Sequence, residues 1–151
     1  MRASLILCDF AETDPAGGKV HMLGAGWSLT GPQPSMQSVV ALIKVGWNEA
    51  NQPTSFVLRL TDADGAVVHI PGPAGPQALE FTGRMEVGRP PGIPEGSEID
   101  ASFVVPLQPL SLAPGQRFTW RLSFGDQEAA SESFYVRPLP LQAELPPQPT
   151  G

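Results

Sequence analysis

The chain has 151 residues, a net charge of −6, and nine basic residues against fifteen acidic ones. Nucleic acid and anionic membrane surfaces are recognised by clustered Lys and Arg, so this scattered handful of cations excludes both as partners. Sixteen Gly and eighteen Pro exclude a helical fold, because a helix interior loses about 1 kcal/mol per Gly and about 3 per Pro; short strands joined by Gly/Pro turns tolerate such a composition.

The first strand is expected over 3–12, with Ile6, Cys8 and Phe10 on one face and Leu5 and Leu7 on the other. Its apolar run ends at Asp9, too short for a secretory signal, and no run in the chain approaches the ~20 apolar residues of a membrane span. The expected setting is the cytoplasm. Cys8 is the single cysteine, so an internal disulfide is excluded. The cluster 14–18, Asp-Pro-Ala-Gly-Gly, is a turn. Residues 19–30 read as the second strand, with Leu23, Ala25, Trp27 and Leu29 as its apolar face. Gly24 and Gly26 lie opposite them and suggest a bulge or a close backbone approach. Gly31-Pro32-Gln33-Pro34 is a stiff connector suited to a crossing between sheets.

Val39 to Trp47, VVALIKVGW, is the longest apolar run unbroken by a turn residue. Apolar residues of both parities mark a strand covered on both faces, so this is the expected central strand. A polar loop, 48–53, follows. Residues 55–61 alternate, with Phe56, Leu58 and Leu60 inward. Asp62-Ala63-Asp64-Gly65 is a hairpin turn with Gly at the position that needs a positive φ. A short strand over 67–70 precedes PGPAGP (71–76), expected to be irregular. Residues 78–87 alternate again, 88–96 form a long Pro/Gly loop, and 98–107 form a strand that Pro106 places at an end or an edge. Strands over 117–124 and 131–136 make a closing hairpin. From Pro138 the chain has no periodicity and is rich in proline, which predicts an extended or disordered tail over 138–151.

The count is eight or nine strands with no amphipathic helix. The expected fold is an all-β, antiparallel two-sheet sandwich, immunoglobulin-like or C2-like, over residues 1–137; a closed barrel is the alternative.

No constellation for catalysis stands out. A nucleophilic triad needs a base, and the two histidines, His21 and His69, both fall in strands. Cys8 lies among apolar residues, as an inert buried thiol does. Three ligands at 8, 21 and 69 are poorly spaced for zinc. The acidic turns, Asp9, Glu12 and Asp14 and then Asp62 and Asp64, have oxygen donors suited to calcium, yet Asp is equally favoured in turns for its own backbone bonding. No cofactor or metal is expected. Two loops remain as recognition surfaces. One holds Trp47, Asn48, Glu49 and Asn51; the other is 89–95, led by Arg89. Trp and Arg are frequent contact anchors, although Trp47 also suits a core ring at a strand end.

Several segments occur in order: Leu7-Cys8-Asp9-Phe10-Ala11-Glu12, Gly24-Ala25-Gly26-Trp27, Trp47-Asn48-Glu49-Ala50-Asn51-Gln52-Pro53, Asp62-Ala63-Asp64-Gly65, Glu86-Val87-Gly88-Arg89-Pro90-Pro91-Gly92 and Leu112-Ala113-Pro114-Gly115. In these the chain resembles, over about residues 4–137, a family of small uncharacterised actinobacterial proteins carried as a domain of unknown function. The resemblance implies a stand-alone β-rich domain and assigns no catalytic residue. The expected function is a non-enzymatic protein-binding or scaffolding module whose partner is another protein or a second copy. The alternatives are a small-ligand, sugar or calcium-binding module and an enzyme with a loop-built carboxylate site.

Overall fold

The computed structural model describes residues 1–16 and 18–141. Twelve strands and one 3-10 turn account for the regular structure among the described residues: β1 (Arg2–Cys8), β2 (Phe10–Thr13), β3 (Val20–Leu23), β4 (Leu29–Thr30), β5 (Gln37–Val45), the 3-10 turn Trp47–Glu49, β6 (Thr54–Thr61), β7 (His69–Gly72), β8 (Gly75–Ala78), β9 (Glu80–Met85), β10 (Ile99–Leu107), β11 (Arg117–Phe124) and β12 (Gln127–Val136). The protein is all-β. Its strands form four sheets rather than two: a three-stranded sheet β1-β5-β10, a five-stranded sheet β4-β12-β11-β6-β9, and the ribbons β2-β3 and β7-β8. Of the tail expected over 138–151, residues 142–151 lie outside the described residues.

The central-strand expectation holds. β5 pairs antiparallel with β1 on one side and β10 on the other. Val39, Ala41, Ile43 and Val45 point into a core shared with Leu58 and Leu60 of β6, Trp120 and Leu122 of β11, and Phe134 of β12. The two main sheets therefore bury their facing sides against each other. The opposite face of β5 changes along its length. Val40 is buried with Cys8 and Ala11, Leu42 is 40% exposed, and Lys44 is in solvent. The β2-β3 ribbon lays Ala11, Val20 and Met22 over the first part of that face.

Three expectations are corrected. The strand over 3–12 is broken at Asp9, where the chain leaves the sheet to enter the ribbon; Phe10 is consequently exposed and not on a buried face with Cys8. The strand over 19–30 is likewise two strands. Gly24 and Gly26 take φ of 60° and 86°, conformations that end a strand. A Cβ on Gly24 would run into the Asp9 carboxylate, so the close approach expected there is real. Leu23 and Leu29 are exposed as a result. PGPAGP is not irregular: Pro71 opposes Pro76 and Gly72 opposes Gly75 in the β7-β8 ribbon. An isolated ribbon has two open edges, and proline is tolerated where its missing N–H faces outward. These splits raise the strand count from eight or nine to twelve. One pairing also departs from the antiparallel rule, since β4 runs parallel to β12.

The connector expected over 31–34 lies within the crossing from the five-stranded to the three-stranded sheet, which spans 31–36. The turn after β5 crosses back, leading into β6. The end of β5 is thus a point where the chain changes layer.

Candidate functional site

The two loops singled out in the sequence meet in space. β5 ends at Val45, and Gly46 begins a tight turn in which the Glu49 and Ala50 amides donate to the Gly46 carbonyl. The Glu49 carboxylate accepts from the Gly46 amide at 2.9 Å and from the Met1 amine at 2.6 Å. The ammonium of Met1 foremost, and then the Gly46 N–H, hold the Glu49 carboxyl below the usual carboxylate range. Asn51 adopts a left-handed φ of 59°, a conformation that Asn tolerates better than most residues. Its amide donates to the Val87 carbonyl at 2.8 Å, which ties this loop to the chain leaving β9.

Two residues past Val87, Arg89 completes the junction. Its Nη2 and Nε donate to the Trp47 carbonyl at 2.8 and 3.3 Å. Its guanidinium carbon sits 4.5 Å from the Trp47 ring centroid, a cation–π arrangement. Trp47 is half-buried, with its ring packed against the main core and covered by Arg89. Its ring is an anchor within the fold. The outward-facing groups are the side chains of Asn48 and Asn51, both exposed, and the outer face of Arg89. Gln52 fixes the turn by donating from Nε2 to the Asn48 carbonyl at 2.9 Å. A depression of about 300 Å³ opens beside Glu49 and Gln52, towards the turn between β11 and β12.

The junction spans the two layers. Trp47 follows β5 of the three-stranded sheet and Arg89 follows β9 of the five-stranded sheet. The sequence marked each loop by its residue types, but held no sign that Glu49 is the hub of one loop or that Val87 receives the other. The junction presents amides and a guanidinium held on a braced turn.

Elsewhere the reactive residue types are dispersed. Cys8 is fully buried with its Sγ 3.6 Å from the Ser38 carbonyl; burial, and then Asp9, push its thiol pKa up. His21 and His69 sit exposed on different ribbons. The acidic turns use their carboxylates locally: Asp14 Oδ1 accepts from the Ala16 amide, and Asp62 Oδ1 from the Asp64 and Ala66 amides. Among the described residues no three His, Cys, Asp or Glu side chains converge as a metal site would require. Nor is any helix among them long and apolar enough to cross a membrane.

Fold and junction together define a small all-β protein of packed sheets with a braced loop cluster at one end. The chain belongs to the family of unknown function DUF6941, whose model matches residues 3–137. No curated protein and no solved structure matches it.

Proposed function

We propose that this protein is a non-enzymatic protein-binding module that contacts its partner, another protein or a second copy, through the junction of Trp47, Asn48, Glu49, Asn51 and Arg89. One observation carries this reading. Two loops 42 residues apart in sequence are locked together by the bidentate Arg89–Trp47 contact, leaving hydrogen-bonding side chains exposed on a turn that has little freedom left to lose. Preorganised polar groups bind with less ordering cost than mobile ones. We further propose that the three- and five-stranded sheets are the layers of an immunoglobulin-like or C2-like sandwich with the ribbons as additions, a reading supported by their shared core. An actinobacterial cytoplasmic setting rests on the sequence resemblance and on a lone, buried, reduced cysteine, which suits a reducing compartment.

The test uses Asn48→Arg, because the Asn48 side chain is exposed and braces nothing. Wild-type and variant proteins serve as baits at equal concentration, with Asp64→Arg as control, on the exposed turn at the opposite end of β6 from the junction. The reading expects a partner retained by wild type and control and lost by Asn48→Arg at unchanged thermal midpoint. Equal retention by all three baits contradicts it.

A further inference from the structure

The outer face of the three-stranded sheet carries a second feature. Register places its side chains in rows across β1, β5 and β10. The first row is Ile6–Val40–Val104, the second Ser4–Leu42–Ser102, and the third Arg2–Lys44–Asp100. The β2-β3 ribbon covers only the first row. Its tip stops over the second, where Ser102 Oγ donates to the Gly18 carbonyl at 3.2 Å. Beyond the tip lies an open groove of about 1030 Å³. Leu42 is its apolar floor, with a serine hydroxyl on either side. Lys19 stands on the ribbon wall, and Arg2 and Lys44 on the far side.

The charge here runs against that of the molecule. Three of the nine basic residues, Arg2, Lys19 and Lys44, line this one groove, against the two acids Asp100 and Glu128, in a chain of net charge −6. Lys44 is paired with Asp100, Arg2 with Glu98, and Glu128 with Arg121. Lys19 makes no ion pair among the described residues. The groove therefore offers one free ammonium and an uncovered apolar floor within a volume of the order of a small-molecule site, about 300–1,000 Å³.

We propose that this groove binds a small amphipathic carboxylate, with the hydrocarbon body over Leu42 and the head taken by the Lys19 ammonium. The apolar floor selects against purely ionic ligands, and the ammonium selects against neutral ones. This site is separate from the loop junction, so either can fail without the other.

The experiment is isothermal titration of the whole protein with octanoate, octanol and acetate, below the micelle concentration of octanoate. Octanoate is expected to bind saturably at one site, at least tenfold more tightly than octanol or acetate. Lys19→Glu and Leu42→Glu are each expected to weaken octanoate at least tenfold. Both positions are exposed or half-exposed, and Lys19→Glu touches no packing, so it retains the test if Leu42→Glu is unstable. Backbone amide shifts in the wild type should localise to residues around Leu42, Ser102 and Lys19. The proposal is overturned if octanoate shows no saturable binding, if octanol or acetate binds equally well, or if Lys19→Glu leaves octanoate affinity unchanged.

Discussion

Gly83 occupies a strand interior, where glycine is ordinarily a liability. Replacing it by alanine should therefore help, by about 0.5–1 kcal/mol, if only backbone entropy mattered. The structure predicts the opposite. Gly83 lies directly across from Phe56 in the β6–β9 ladder. A Cβ at position 83 would stand 2.7 Å from both Cε1 and Cζ of the Phe56 ring. That ring has little room to retreat, because it stacks on Phe103 of the opposing sheet with centroids 4.8 Å apart and planes 22° apart. Overpacking of this kind costs about 1–3 kcal/mol. Offsetting the entropy gain leaves Gly83→Ala destabilised by about 1–2 kcal/mol, read as a lower urea midpoint at constant slope. At this chain length each kcal/mol lowers Tm by about 2–4 °C. Gly31→Ala is the control, since nothing lies within 4 Å of its added Cβ; it should be neutral or slightly stabilising. In a Phe56→Leu background the penalty at position 83 should largely vanish, because the ring edge is gone. Gly83→Ala as stable as wild type, or a penalty unchanged by Phe56→Leu, would refute the packing described for this edge of the core.

Three further outcomes follow from the same structure. Arg89→Ala removes two donations to the Trp47 carbonyl and the cation–π contact; at this exposed site the loss should be about 1 kcal/mol, and Trp47 emission should shift to the red. Arg89→Lys should restore only part, because Lys lacks the planar fork. Glu49 has its folded pKa depressed by the Met1 ammonium and the Gly46 N–H, so its stabilisation is present above the ordinary carboxylate range and is lost as pH falls through the folded pKa. Glu49→Gln should thus be less stable than wild type at pH 7, by no more than about 1 kcal/mol since the side chain is 44% exposed, and the gap should close in acid. A gap that widens in acid would contradict that sign. Cys8, fully buried with a raised pKa, should react with a thiol reagent only at the rate of unfolding; fast labelling of native protein would show that the ribbon opens readily.

The long strands were legible because their residues alternate or run apolar: β5, β6, β10 and β11 fall where hydrophobic period alone puts them. The ribbons were not. Leu23 and Leu29 looked like a buried face, yet positive φ at Gly24 and Gly26 takes the chain off that face before the pattern completes. Pro71 and Pro76 suggested irregular chain, since composition does not reveal that they oppose each other with open edges on both sides. Of the candidate site, the residue types of both loops were legible. Their union was not, because Trp47 follows a strand of one sheet and Arg89 a strand of the other, and nothing local encodes how layers align. The groove left a partial trace: Val40, Leu42 and Lys44 grade from buried to solvent along one parity, and only the length of the β2-β3 ribbon decides where the cover stops.

The claim that the Trp47–Arg89 junction is the contact surface is tested most directly by site-specific photo-cross-linking in the native host. A photoreactive residue is placed at Asn48 and, separately, at Asp64 at the far end of β6. A single defined adduct from position 48, absent from position 64 and abolished by Arg89→Ala in the same chain, is the predicted result. No adduct from position 48, or the same adduct from both positions, would contradict it.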